Sequence, residues 1–504
     1  MSVHRVMGIE TEYGVSTPGD PNANPMLMSS RVVHAYAAPR GLRPAQAHWD
    51  FSDETPLRDA RGFEMSREAA DRSQLTDEMA QADEPHLVNV VLPNGARLYV
   101  DHAHPEYSSP EVTNPLDAVR WDKAGEMVML AAVRQLAGET HSPPVNLYKN
   151  NVDGKGSSYG THENYLMPRS TPFGRIVEGV IPFFVSRQIF TGAGRLGIGQ
   201  RSERSGFQIS QRTDYFETEV GLETTLKRPI VNTRDEPHAV PDRYRRLHVI
   251  IGDANQSETA TFLKMGATSL VLGLIENGRS PDIELEDPIQ ALYDIGHDTS
   301  CTVKVPLVGG QRLSAVELQR RYLDAAESWV GSDTDPQTAR VLELWADVLD
   351  RLEDDPLGCS DILDWVAKLK LLQGFQERER LGWDSAKLAL IDLQFADIRP
   401  EKGLFQKLAQ RGEVRTLFDD AAIAAAVAGP PEDTRAYFRG RCVQKYGRNV
   451  AAASWDSVVF DVSSRPSLQR IPMLEPLRGT REHVGALLDS ADTASELLDA
   501  LTSP

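Results

Sequence analysis

Two glutamates stand at i and i+2 in the run Met7-Gly8-Ile9-Glu10-Thr11-Glu12. Alternate side chains of a strand share a face, so both carboxylates point the same way, with Gly8 beside them. Like charges on one strand face repel unless a cation sits between or beside them. Two solvated glutamates would read the same, but Gly8 favours a bound group, because glycine lets another atom approach the backbone closely. A second run, Arg97-Leu98-Tyr99-Val100-Asp101, sets Arg97, Tyr99 and Asp101 against Leu98 and Val100. A polar face of Arg, Tyr and Asp backed by an apolar one suits a nucleotide–metal site set into a sheet; an edge strand with one wet face carries the same alternation. His104-Pro105-Glu106-Tyr107-Ser108-Ser109 follows at once. Three further stretches repeat the logic. His162 and Asn164 share a face in Thr161-His162-Glu163-Asn164-Tyr165. Arg212 falls on the polar side of Phe207-Gln208-Ile209-Ser210-Gln211-Arg212. His248 opposes the apolar Val249, as a ligand or as a satisfied structural histidine. Together these polar faces predict one site containing Glu10, Glu12, Tyr99, Asp101, Glu106, His162, Arg212 and His248.

The elements that must position these residues are legible in outline. A first strand is expected over His4–Val15, and the turn Pro93-Asn94-Gly95 launches the Arg97 strand. Apolar spacing predicts a helix from Pro115 to Leu136. A strand opens at Asn146 and breaks into the Gly-rich loop Asp153–Gly160. Ser257 is a candidate N-cap, Ser314-Ala315-Val316-Glu317 a capping box, and Pro336 opens a further helix. Between the first two strands lies a long insertion, about 37–85, polar and without sustained period; loops of that length are functional or disordered. Gly429-Pro430-Pro431 is the strongest linker signal. It divides the chain into a large domain, 1–429, and a small C-terminal one, 430–504, with a basic run (Arg435, Arg439, Arg441, Lys445, Arg448) and a last helix from Glu482 to Leu501.

Bulk properties narrow the class. The 504 residues carry a net charge of −19, with 40% hydrophobic and 25% charged residues. That is globular composition, and the acidic balance argues against a nucleic-acid partner. Three widely spaced cysteines offer neither a disulfide framework nor a metal pattern, which points to a reducing compartment. There is no signal-peptide pattern and no apolar run of membrane length, so a cytoplasmic protein with no membrane partner is expected. Gly192-Ala193-Gly194-Arg195-Leu196-Gly197 matches a dinucleotide fingerprint, but no helix pattern opens there. Gly156-Ser157-Ser158-Tyr159-Gly160 matches a serine-hydrolase elbow without its strand–turn–helix setting.

Five segments carry a resemblance: Met7-Gly8-Ile9-Glu10-Thr11-Glu12-Tyr13-Gly14, Asn94-Gly95-Ala96-Arg97-Leu98-Tyr99-Val100-Asp101, His104-Pro105-Glu106-Tyr107, Tyr159-Gly160-Thr161-His162-Glu163-Asn164-Tyr165 and Ser454-Trp455-Asp456. They resemble the Pup ligase/deamidase family, Pup being the prokaryotic ubiquitin-like protein. The resemblance runs over nearly the whole chain. It implies an α+β fold of glutamine synthetase type: a curved antiparallel sheet packed with helices, plus a small C-terminal domain. The family has a branch that ligates Pup to lysines. Its other branch deamidates the C-terminal glutamine of Pup and cleaves Pup from conjugates. The 37–85 insertion, with Pro56-Leu57-Arg58-Asp59-Ala60-Arg61-Gly62-Phe63 at its middle, resembles the deamidating branch.

The resemblance also implies roles. Glu10, Tyr99 and Glu106 would hold Mg2+, with His162 and His248 near further metal positions. Gly8, Glu12, Arg97, Ser109, Asn164, Arg212 and Trp455 would bind the nucleotide, ATP or ADP plus phosphate. Among these, Arg97 and Arg212 would neutralise phosphate charge and Trp455 would stack on adenine. Asp101 would be catalytic, as nucleophile or as general base. The nucleotide would serve as a bound cofactor rather than being consumed each turnover. Partners would be Pup and pupylated proteins, with a functional link to the bacterial proteasome. Pup is acidic and disordered, so it would need an apolar and basic groove, for which Arg435, Arg439, Arg441 and Lys445 are candidates.

Overall fold

In a computed structural model, which describes residues 2–20, 22–42, 48–50, 54–68, 70, 88–140, 143–225, 227–331 and 334–502, six strands form one antiparallel sheet. They are β1 (Met7–Glu12), β2 (Asn89–Val91), β3 (Arg97–Asp101), β4 (His104–Ser108), β5 (Thr161–Pro168) and β6 (Tyr244–Val249), in the spatial order β6-β5-β1-β4-β3-β2. The first strand is shorter than expected. It stops at Glu12, and Gly14–Ser16 pairs separately with Asn146–Tyr148. Tyr13 turns the chain away, its ring fully buried.

The alternation seen in sequence becomes two faces. Met7, Ile9, Tyr165, Met167, Leu247 and Val249 lie on one and are buried. They share a core with helices α2 (Pro115–Ala137), α3 (Phe173–Thr191) and α4 (Glu258–Glu276). Leu98 and Val100 join a second core with helix α1 (Pro25–Ala37) and the later turns of α2. Burial of this kind contributes roughly 1.5–3 kcal/mol per large apolar side chain, which fixes the register because a one-residue slip would expose the whole set. Glu163 and Arg245 are charged residues on the apolar face; Glu163 is fully buried. Both its oxygens are taken by Arg187 at 2.6 and 2.9 Å, and Tyr165 adds a hydrogen bond of 2.7 Å.

The helix starts follow local chemistry. Asn114 caps α2 through Asp117 N, Ser257 caps α4 through Ala260 N, and the Ser314–Glu317 capping box is formed in both directions. No helix opens at Gly192; a strand, Arg195–Ile198, follows instead. Positions 43–47, 51–53, 69 and 71–85 of the insertion lie outside the described residues. The rest of it includes a two-residue hairpin, Arg58–Asp59 with Phe63–Glu64.

At the C-terminal end, helix α5 (Ala436–Tyr446) packs with strands β7 (Val450–Ala453), β8 (Ser457–Phe460) and β9 (Gln469–Pro472) around a third core. Trp49 of the insertion and Val91 of β2 enter that core, and the strand His48–Trp49 pairs in parallel with β7. The single last helix expected over 482–501 is two, Arg481–Ser490 and Ala494–Thr502. The break falls at Ala491-Asp492-Thr493, where the Glu496 carboxylate accepts from the backbone N–H of Asp492 and Thr493.

Candidate active site

Strand register assembles the polar face. Glu10 lies opposite His162 on one side and Ser108 on the other; Glu12 lies opposite Glu106, and Glu106 opposite Tyr99. Gly8 pairs with Asn164, which pairs in turn with His248. Arg97 faces Ser108, and Asp101 faces His104 at the end of a two-residue hairpin turn. Residues up to 240 positions apart in sequence therefore share one face because four antiparallel junctions keep them in phase.

Two groups of side chains on this face have the spacing of metal ligands: Glu10 with His162 and His248, and Glu12 with Asp101 and Glu106. Within each, candidate ligand atoms lie within 4.8 Å of one another. In the first, Glu10 accepts from Asn164 Nδ2 at 2.9 Å and meets His162 Nδ1 at 3.2 Å. Burial works against its charge, but the hydrogen bond from His162 and the charges of His248, His162 and Arg246 hold Glu10 well below the usual carboxylate range. Burial, and then Arg246, push His248 the other way, so its imidazole is neutral, with Nδ1 3.0 Å from Asn164 Oδ1.

The second group is electrostatically frustrated. Burial, followed by the charges of Asp101, Glu10 and Glu12, drives Glu106 well above the carboxylate range. Tyr99 is raised as well, by burial and then by Glu106. Burial also opposes the charge of Asp101, but the charge and hydrogen bond of His102, and the charges of His162 and Arg97, outweigh it and keep Asp101 ionised. Carboxylates crowded at this density are what a hard divalent cation with oxygen ligands resolves, so the donor set fits magnesium.

A cleft runs beside the first group, between the sheet and the C-terminal unit. Gly8, Glu10, Ser109, Asn164, Arg246 and Trp455 line it. A Cβ at Gly8 would lie in ordinary van der Waals contact with Ser109 Oγ, 3.5 Å away. Ser109 also serves the fold, its Oγ accepting from Ile9 N at 2.9 Å. Trp455 is half-buried and meets Trp49 edge to face at 5.1 Å. Arg97 lies over the rings of both Trp49 and Tyr99.

Two expectations change. Arg212 is not on a strand: the strand ends at Gln208, and Arg212 precedes a short 3-10 turn, Thr213–Tyr215. Asp253 takes the backbone N–H of Gln211 and the hydroxyl of Ser210, which pulls the chain out of the ladder. Arg212 is buried, donating to the carbonyls of Ile250 and Gly252. Burial and the neighbouring Arg228 lower its pKa to about 9. The basic run is not an exposed groove either. Arg435 and Arg439 are 4% and 0% exposed and both bind Glu111; Arg441 pairs with Asp489, and Lys445 caps the carbonyl of Leu488.

Sequence reasoning missed three residues. His104 pairs with Glu12 at 3.1 Å and stacks on Tyr159. His102 sits at φ 50° with Nδ1 3.0 Å from Asp101. Arg246 donates to Asn164 at 2.8 Å and lies 3.8 Å from Glu10. The signal for Arg246 was present, two residues before His248 and so on the same face.

The antiparallel sheet, its carboxylate–histidine face and the adjoining cleft define an α+β protein with a candidate active site on the sheet. The chain belongs to the Pup-ligase protein family, whose model matches residues 5–459. It is 59% identical over 505 residues to a depupylase of Acidothermus cellulolyticus, covering 99% of each chain. It is 56% identical over 508 residues to a Pup deamidase/depupylase of Mycobacterium tuberculosis, again covering 99% of each. A solved structure of the Pup ligase PafA in complex with ADP matches with a TM-score of 0.72 and 35% identity, over 85% of this chain and 95% of that one.

Proposed function

We propose that this protein deamidates the C-terminal glutamine of Pup and cleaves the isopeptide bond between Pup and the lysine of a conjugated protein. The full-length likeness to a depupylase and to a Pup deamidase/depupylase supports this reading over ligation. The observation that carries the chemistry is Asp101, ionised at the end of a hairpin within a group of carboxylates on the sheet face.

In this reading the cleft takes ATP, or ADP plus phosphate, with Trp455 against the base, Gly8, Ser109 and Asn164 along the floor, and Arg97 and Arg212 toward the phosphates. Glu10, Tyr99 and Glu106, with His162 and His248, hold magnesium, and Glu12 supports both groups. A bound divalent cation would neutralise phosphate and polarise the oxygen that gains charge as the amide is attacked. Asp101 either attacks the side-chain carbonyl to form an anhydride or takes a proton from water that attacks instead. Either way the C–N bond breaks, ammonia or the lysine amine leaves with a proton, and water supplies the hydroxyl of a C-terminal glutamate. His102 holds Asp101 in its charged form. Residues 1–429 serve as the catalytic domain and 430–504 as a small C-terminal domain that brings Trp455 to the cleft. Three free buried cysteines suit a reducing cytoplasm, where a Pup-removing enzyme would oppose proteasomal degradation of conjugates. Among the described residues no helix is long and apolar enough to cross a membrane.

The test is incubation with Pup ending in glutamine, magnesium and ATP. A one-dalton gain in Pup mass without matching ATP use supports the proposal. ATP-coupled conjugation to lysine would make the protein a ligase. Binding of Pup without either change would leave a nucleotide-dependent binding module and sink the enzymatic reading.

A further inference from the structure

Glu111 leaves the sheet just after β4, and its carboxylate is the meeting point of the two buried arginines of the C-terminal unit. Arg435 Nε donates to Oε1 at 2.7 Å; Arg439 reaches both oxygens, Oε1 at 3.2 Å and Oε2 more closely. The backbone joins in, with Thr434 Oγ1 donating to the Glu111 carbonyl at 2.7 Å.

Each arginine also holds part of the cleft lining. Arg439 donates to the carbonyl of Trp455 at 2.9 Å and to the carbonyl of Gly95, in the turn that launches β3, at 2.9 and 3.0 Å. Arg435 donates to the carbonyls of His238 at 2.6 Å and Met473 at 2.7 Å. His238, at φ 45°, lines the cleft, as do Trp455, Arg435 and Glu111 themselves. A non-glycine residue at positive φ persists only where its surroundings over-determine it, and the Arg435 bond to its carbonyl is one such restraint. Removing one partner from a buried ion pair leaves an uncompensated charge that must rearrange. A fault at Glu111 therefore reaches Trp455 and His238 at once.

We propose that Glu111 is a positioning residue for the nucleotide: through Arg439 and Arg435 it fixes where the Trp455 and His238 backbones sit beside the cleft, so that nucleotide affinity depends on the seating of the C-terminal unit on the sheet. The proposal rests on the reading that this cleft binds nucleotide. Glu111 touches no reacting group, so its loss acts on nucleotide binding and spares the chemical step.

The experiment measures the Kd for ADP by calorimetry, and the KM for ATP and kcat for deamidation, in the wild type, Glu111→Gln, Glu111→Asp and Arg435→Lys. Glu111→Gln is expected to raise the ADP Kd and the ATP KM about tenfold or more, with kcat at saturating ATP within about twofold. Glu111→Asp, which keeps the charge, should recover part of that loss. Arg435→Lys keeps a cation but cannot hold two carbonyls and Glu111 together, so it should weaken ADP in the same way even if Glu111→Gln fails to fold. Folded variants with wild-type ADP affinity, or variants that lose kcat with Kd unchanged, would overturn the proposal. Wild-type protein that binds no ADP would overturn the nucleotide reading beneath it, and that measurement is made first and separately.

Discussion

Glu12 and Glu106 are direct register partners on adjacent antiparallel strands, both buried, with Asp101 close enough to share a ligand site with them. Opposed like charges destabilise a strand pair, and here burial and the surrounding carboxylates push Glu106 toward its neutral form. A cation that binds only the folded state adds stability by mass action, about 2.7 kcal/mol at one hundred times its Kd. Magnesium should therefore raise the melting temperature by several degrees, and a chelator should reverse the gain. Glu106→Gln should be as stable as wild type, or more so, without metal, yet lose most of the magnesium-dependent gain. Differential scanning calorimetry with and without magnesium reads both effects.

Asp101 should be dispensable for binding and essential for turnover. Asparagine preserves its shape and can still meet His102, but it can neither attack a carbonyl nor accept a proton. Asp101→Asn should lower the deamidation rate by at least about a hundredfold, the lower end of what a positioned acid–base group supplies. Pup affinity should stay within about threefold of wild type, since substrate recognition extends well beyond one carboxylate. A variant that still turns over at the wild-type rate would remove Asp101 from the mechanism.

Trp455 offers a ring at the cleft and is braced by Trp49 from the insertion. Ring stacking contributes about 0.5–1.5 kcal/mol beyond area burial. Trp455→Ala should therefore weaken ADP by roughly three- to tenfold or more, while Trp455→Phe should keep much of the affinity. Trp49→Ala should show a smaller loss of the same sign. Equal affinities across the series would make Trp455 a core residue of the C-terminal unit only.

The sheet was legible because its two faces differ in chemistry at every second residue. Arg97–Asp101 emerged as a strand of the expected length, and Thr161–Tyr165 fell within one. Nothing in a single sequence fixes which strands are neighbours, so the meeting of Glu10 with His162 and of Glu12 with Glu106 came from register. Arg212 misled because the alternation of 207–212 continued past the point where Asp253 captures the backbone. The basic run misled for a different reason. Its spacing is that of a solvated helix face, and the carboxylate that buries Arg435 and Arg439 sits more than three hundred residues earlier, at Glu111. His102 was passed over because hairpin geometry, not alternation, places it beside Asp101; His104, two residues before Glu106 on one strand, carried the alternation signal that Arg246 did.

The same Glu111 gives an acid-stability signature. Burial disfavours its charge, but Arg439 and Arg435 more than compensate and hold its pKa near about 2, against an ordinary value of 4.5. A carboxyl whose folded pKa is depressed contributes stability that is complete above the unfolded value and lost as the pH falls through the folded one. The contribution is therefore full above about pH 4.5 and is lost progressively down to about pH 2, and for a group this buried it is of order 3 kcal/mol. Urea unfolding of wild type and Glu111→Gln across that range should give a stability difference that is constant at neutral pH and shrinks as the medium is acidified. A difference that stays flat from pH 7 to pH 3 would mean that Glu111 is not charged in the folded protein, and that the two arginines are held by their carbonyl partners alone.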